Sequence, residues 1–224
     1  MKLSADTVNL LKNFATINSN IVIQEGNVLR TMAEAKNVLA KAEVAETFEG
    51  TFGIYDLGEF LSVYGMFNDP DLDFAPDMNS VTVREGRSSV RYFFSDPEIL
   101  TTPGKDINMP AVDVNFTLTS EDLASIRKAA SALGVSELVI TEEDGQLVGI
   151  VTDTKNSTAN SFKIELQAGT SETSGFKYVF TIANFKLTSG DYNVDISSKL
   201  ISRFTNEDGT EYFIALEKSS TTGE

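Results

Sequence analysis

Apolar residues recur at helical spacing in four stretches of the chain and alternate with polar ones through much of the remainder. In the first stretch Ser4 stands where it can cap a helix with Leu3, Thr7, Leu10, Leu11, Phe14 and Ile17 on one face. In the second, Asp56 precedes LGEFLSVYGMF and aligns Leu57, Phe60, Leu61 and Tyr64. In the third, Thr119 or Ser120 caps EDLASIRKAASAL, Leu123, Ile126, Ala130 and Leu133 align, and Gly134 is the stop. The fourth, IANFKL at 182–187, has room for a turn or two before the Ser189-Gly190 break.

The intervening segments alternate at period two and read as strands. NIVIQ and NVLRTM flank Glu25-Gly26, and NSVTVRE and SSVRYFF flank Glu85-Gly86. ELVITEEDGQLVGIV turns at Asp144-Gly145 and TNEDGTEYFIALE at Asp208-Gly209. SFKIELQ, KYVFTI and YNVDIS complete the set. Helix starts near positions 4, 56, 120 and 182 lie 52, 64 and 62 residues apart, a candidate repeat of one helix followed by antiparallel strands. Two such units make a domain, which predicts an α+β chain of two similar domains, 1–109 and 110–224. The divide falls in SDPEILTTPGKDINMPAV (95–112), which holds three of the five prolines. One continuous α+β domain with this segment as a long surface loop is the alternative.

Composition narrows the chemistry. The 224 residues include no Cys, His or Trp, so a disulfide framework, a cysteine nucleophile, a Ser-His-Asp triad and the usual zinc ligands are all excluded. Asp69, Asp71 and Asp73 could hold a divalent cation, but their spacing does not fit a calcium loop and Pro70 marks a turn. Glu142, Glu143 and Asp144, like Glu207 and Asp208, belong at hairpin tips. No glycine-rich segment has phosphate-loop spacing, and Gly50, Gly53 and Gly58 match no dinucleotide fingerprint. No cofactor or metal is expected. No apolar run approaches the ~20 residues of a membrane span, and the polar-punctuated start lacks a signal-peptide core, so a soluble, intracellular chain is expected.

The formal charge is -15, from 33 acids against 18 bases, which by itself disfavours nucleic acid. The helix faces change that picture. Opposite Leu10 and Phe14 stand Ala5, Asn9, Lys12 and Thr16; opposite Leu123 and Ala130 stand Ser125, Lys128 and Ala132, flanked by Arg127. Acids occur in the first turn of the third helix, where the helix dipole favours them, and not at the centre of either outward face. Such depletion in an acidic chain suggests surfaces turned toward something negative, set against the plainer reading of solvated helix faces.

MKLSADTVNLLKNFATINSN, IYDLGEFLSVYGMFND, LTSEDLASIRKAASAL and the ending YFIALE, in this order, resemble the DNA polymerase sliding clamps of large myovirus phages over essentially the whole chain. The resemblance implies the DNA clamp fold and a ring of three subunits. Each domain gives two helices to an inner wall around duplex DNA, with sheets outside. It implies no catalysis, tethering of the replicative DNA polymerase, opening by an ATP-driven clamp loader, contact with late-transcription proteins, and residence in the cytoplasm of an infected bacterium. The chain departs from better-known members in lacking Trp and in the composition of ISSKLISRFTN (196–206). Carried onto this sequence, the resemblance points to Lys2, Lys12, Arg127, Lys128, Lys177 and Lys186 as DNA-facing bases. A partner-peptide pocket is expected at Ile99, Leu100, Ile107, Met109, Ile214, Ala215 and Leu216. Subunits are expected to meet along strand edges at Val90, Tyr92, Phe94, Phe162, Ile164 and Leu166. The competing readings are a viral structural or assembly protein of two β-rich domains and a metal-dependent carboxylate enzyme.

Overall fold

Ser4 opens the first helix of the computed structural model, its hydroxyl accepting from the Thr7 amide at 3.2 Å. The structure describes residues 1–104, 107–172 and 174–223. The chain divides into a first unit, Met1–Asp106, and a second, Ile107–Glu224.

In the first unit α1 (Ala5–Ile17) leads to β1 (Ile21–Ile23), β2 (Gly26–Met32), β3 (Val38–Phe48) and β4 (Phe52–Ile54). Then come α2 (Leu57–Tyr64), β5 (Asp71–Phe74), β6 (Ser80–Glu85) and β7 (Ser88–Phe93), and a single 3-10 turn at Pro97–Ile99. Thr7, Leu10, Leu11 and Phe14 are the buried stripe of α1, and Leu57, Phe60 and Tyr64 that of α2. Each fully buried side chain of this size contributes about 1.5–3 kcal/mol. Asp56 caps α2 by accepting from the Glu59 amide at 2.9 Å. A second carboxylate fixes the start of α1: Glu46, on β3, accepts from the Ser4 amide and the Thr7 hydroxyl.

Two strand expectations need correction here. NIVIQ and NVLRTM do not form a hairpin, because β1 pairs with β4 while β2 pairs with β3. The chain changes sheets at Glu25-Gly26 instead of folding back on itself. The longest strand, β3, was not among the expected ones. Its run AKAEVAETF is rich in helix-favouring Ala, Glu and Lys, and pairing with β2 overrides that local preference.

In the second unit β8 (Val114–Leu118) precedes α3 (Ser120–Leu133), β9 (Glu137–Glu143), β10 (Gln146–Thr152), β11 (Phe162–Glu165), β12 (Gln167–Ser171) and β13 (Lys177–Thr181). A 3-10 turn at Ile182–Asn184 is followed by β14 (Tyr192–Ser197), β15 (Ile201–Thr205) and β16 (Glu211–Ala215). Thr119 and Asp122 form a reciprocal capping box on α3, and Gly134 ends it in the left-handed conformation. One antiparallel sheet runs in the order β11-β10-β9-β13, and β12, β8, β14, β15 and β16 pair in turn in another. Asp144 and Gly145 both take positive φ, 52° and 78°, the geometry a two-residue hairpin between β9 and β10 demands. The expected fourth helix at 182–187 is reduced to the turn at Ile182–Asn184. No described helix is long and apolar enough to cross a membrane.

Candidate nucleic-acid and subunit interfaces

The outward faces of the helices are set by which residues the sheets bury. With Leu10 and Phe14 inward, α1 exposes Asn9, Lys12 and Thr16; with Leu123 and Ile126 inward, α3 exposes Ala124, Arg127, Lys128 and Ser131. Lys12 and Lys128 reach solvent with no described ion pair. α2 exposes Gly58, Glu59 and Ser62, small or acidic side chains without a base.

Three of the other expected bases have different surroundings. Lys2 is exposed but donates to the carboxylate of Asp69 and, at 3.2 Å, to its carbonyl; the Asp69 hydrogen bond raises the ammonium pKa. Its charge is therefore partly matched locally. Arg127 gives one N–H to the Phe185 carbonyl at 2.7 Å, bracing α3 against the chain that leaves the 182–184 turn. Lys177 is separated from the helix side altogether. Along β13, Tyr178 and Phe180 enter the core, Phe180 against Phe185, and the pleat sends Lys177 to the opposite face. There it lines a cavity of about 320 Å³ with Val139, Thr141 and Ile150. Lys186 is exposed just beyond the turn.

The strand edges expected to meet other subunits are genuine edges. β7 is the outer strand of β5-β6-β7, and β11 is the outer strand of its four-stranded sheet. The side chains expected there, Val90 and Tyr92 on β7 and Phe94 just beyond it, are half-buried and turn inward. Tyr92 packs edge-on to Phe60, its hydroxyl donating to the Asp56 carbonyl at 3.3 Å and the Glu59 carboxylate at 3.4 Å. Burial, with Glu59 beside it, pushes the phenol up to about 12. Phe94 stacks on Phe52 with ring centres 4.3 Å apart, and Val90 is opposite buried Val83. The accessible face carries Ser89, Arg91 and Phe93, with Phe93 65% exposed beneath the Arg91 guanidinium. On the other edge Phe162 and Ile164 are half-buried, while Leu166 is 1% exposed and belongs to the core. The exposed parity of β7, with Arg91 and Phe93, is the opposite of the one expected, because the more apolar parity was assigned outward. The signal was the buried Val81 and Val83 on the neighbouring strand, which draw the apolar parity of β7 inward.

The charges on these two edges have opposite sign. Arg84, Arg87 and Arg91 are exposed on the β6-β7 hairpin, with Arg84 held by Asp73 at 2.6 Å. Glu142, Glu143, Asp144 and Glu165 are exposed around β11, with Glu143 bonded to Lys163 at 3.0 Å.

The expected peptide pocket is also altered. Ile99 is 71% exposed, and Ile107, Met109 and Ala215 are half-buried. Ile214, at 0% exposure, and Leu216 are core residues, since β16 is covered on both faces. Leu100 is buried against Gly53, where a Cβ would come within 2.6 Å of the Leu100 side chain. Among the described residues no three carboxylates converge as a metal-ligating group.

A DNA polymerase processivity factor model matches residues 4–98, and the model for the gp45 sliding clamp C terminal matches residues 115–218. The sliding clamp of Vibrio phage KVP40 is 33% identical over 222 residues, 97% of this chain and 99% of that relative. The chain belongs to the sliding-clamp family. The sliding clamps of Enterobacteria phage T4 and Escherichia phage RB69 are 29% and 30% identical, each covering 99% of this chain and 99% of its own length. Among solved structures, PCNA of A. fulgidus, bound to the C-terminal region of FEN-1, superposes with a TM-score of 0.71 at 14% identity, covering 96% of each chain. The Helicobacter pylori beta clamp bound to a DNA ligase peptide gives 0.68 at 15% identity, over 99% of this chain and 68% of that one. At such identities the likeness is one of fold, and it places this sliding-clamp chain in the PCNA and beta-clamp architecture.

Proposed function

We propose that this chain is the sliding clamp that holds the replicative DNA polymerase of a phage on duplex DNA, as a closed homotrimer loaded by an ATP-driven clamp loader. The observation that carries the reading is whole-length kinship with phage sliding clamps, joined to helix faces on which Lys12 and Lys128 are exposed within an acidic chain. In the ring those lysines attract phosphate without reading sequence, because tight base contacts would arrest sliding. Lys186, also exposed, is a further candidate, and Lys2 and Arg127 contribute less than Lys12 and Lys128, one compensated by Asp69 and the other engaged with Phe185. The subunit contact runs between β7 of one copy and β11 of the next, where bare edges and opposite charge support the pairing.

Polymerase and loader peptides anchor at exposed apolar residues of the 95–112 segment, with Ile99 the foremost candidate. Late-transcription proteins use the same outer surface. The clamp carries no reaction of its own and works in the cytoplasm of the infected bacterium. The metal-enzyme and structural-protein readings have no comparable support.

The test is retention on DNA. Loaded onto nicked circular duplex, the protein remains bound through gel filtration and is lost once the circle is linearised. Equal retention on both forms overturns encirclement. Lys12→Met with Lys128→Met lowers the salt dependence of the DNA-bound state by a log-log slope of about 1 or more per subunit.

A further inference from the structure

The two edges of the four-stranded sheet β11-β10-β9-β13 are treated differently. Beyond β16 the chain runs back beside β13. The Lys177 amide donates to the Thr221 carbonyl at 2.9 Å, and the Thr221 amide returns a bond to the Lys177 carbonyl at 2.8 Å. The Glu217 amide donates to the Val179 carbonyl at 2.8 Å, and the Val179 amide donates to the Ser220 hydroxyl at 2.9 Å. All the outward main-chain groups of Lys177 and Val179 are thereby taken. Thr181 adds a bond from its hydroxyl to the Glu217 carboxylate at 2.5 Å. β11, by contrast, has no main-chain bond on its outer side among the described residues.

The strap Glu217-Lys218-Ser219-Ser220-Thr221 has no apolar side chain, so it adds nothing to the core. What it supplies is hydrogen bonds to an edge. In the first unit the Leu72 amide donates to the Met1 carbonyl at 2.7 Å, so the β5 side is similarly covered, while β7 has no main-chain bond on its outer side among the described residues. An uncovered edge is a template for any extended chain. A closed head-to-tail assembly needs one donor edge and one acceptor edge per copy; a second acceptor permits open or branched arrays.

We propose that residues 217–221 guard the β13 edge, so that a second copy of this chain finds only β11 open on this sheet. The inference rests on the ring reading and adds to it a device that excludes wrong pairings.

The test loosens the strap without touching β7 or β11. Glu217→Pro with Thr221→Pro removes the two strap amides that donate to β13. Hydrogen exchange at the Lys177 and Val179 amides reports the release. Because the chain has no cysteine, mixing Lys163→Cys and Lys177→Cys copies reads whether β11 of one copy meets β13 of another. The parent gives one closed species and no such disulfide. The loosened variant gives species larger than the closed one, forms the 163–177 disulfide, and reverts when a peptide of sequence LEKSSTTG is added in trans. Should the proline pair fail to fold, Ser220→Ala removes one acceptor and gives the same changes in smaller measure. Release of the strap with unchanged mass and no disulfide overturns the guard and leaves the ring standing. A parent that never assembles at any concentration overturns the ring reading before a variant is made.

Discussion

The amide of Leu57 donates to the Ser19 carbonyl at 2.7 Å, and the amide of Ile182 donates to the Ser136 carbonyl at 2.9 Å. These bonds occupy the same place in the two units, tying the start of the second helical segment to the chain just past the first helix. Beyond them the two units diverge. In the first unit an α-helix of 8 residues develops; in the second, a 3-10 turn of 3. The residue before each bond accounts for much of this. Asp56 accepts from the Glu59 amide and opens a helix, whereas Thr181 makes no capping bond, its hydroxyl being bonded to Glu217 instead. Arg127 then bonds the Phe185 carbonyl from outside. A shared framework thus tolerates loss of a helix where another side chain supplies a missing partner.

The largest expected effect tests whether the two segments carry equal packing. Leu57→Ala empties a fully buried position and lowers the first unit's stability by about 2–5 kcal/mol in urea unfolding. Ile182→Ala, at a half-buried position, costs less, on the order of 1 kcal/mol. Equal losses would mean the short turn packs as heavily as the helix. Next, Arg127→Met deprives the Phe185 carbonyl of a charged donor and costs about 1.5–3 kcal/mol. Lys128→Met stays within about 0.5 kcal/mol of the parent, as a surface change should. A neutral Arg127→Met would remove the compensation argument.

Asp56→Ala costs about 1 kcal/mol by uncapping α2. Thr181→Ala leaves the 182–184 turn unchanged by NMR shifts and shows itself in faster exchange along the strap. The finest distinction is pH. Burial pushes the Glu46 carboxyl up, but its bonds from Thr7 and Ser4 prevail and hold it below its ordinary 4.5. A group depressed on folding stabilises above its unfolded value, and that contribution is lost as pH falls through the folded one. The stability gap between parent and Glu46→Gln is therefore widest near neutrality and closes in acid below 4.5. A gap independent of pH would show that Glu46 anchors α1 by shape alone.

Three helices were legible because amphipathic spacing and capping residues agree at Ser4, Asp56 and Thr119. The Asp144-Gly145 hairpin was legible because that turn type demands those residues. β3 was hidden by its Ala-Glu-Lys composition, and Glu25-Gly26 mimicked a hairpin while joining two different sheets. At the site, Lys12 and Lys128 could be read from helix phase alone. The true surroundings of Arg127, Lys177 and Tyr92 depend on residues 33 to 58 positions away, such as Phe185, Thr141 and Glu59, which local pattern does not encode.

β11 continues with only Leu166 between into β12, and the Leu166 amide bonds the Leu147 carbonyl at 2.9 Å. β11 lies along β10, while β12 pairs with β8 in the other sheet. Load applied along this length of chain therefore falls on two hydrogen-bonded ladders, one in each sheet. The edge proposed for subunit pairing is thereby spliced into both sheets of its own unit.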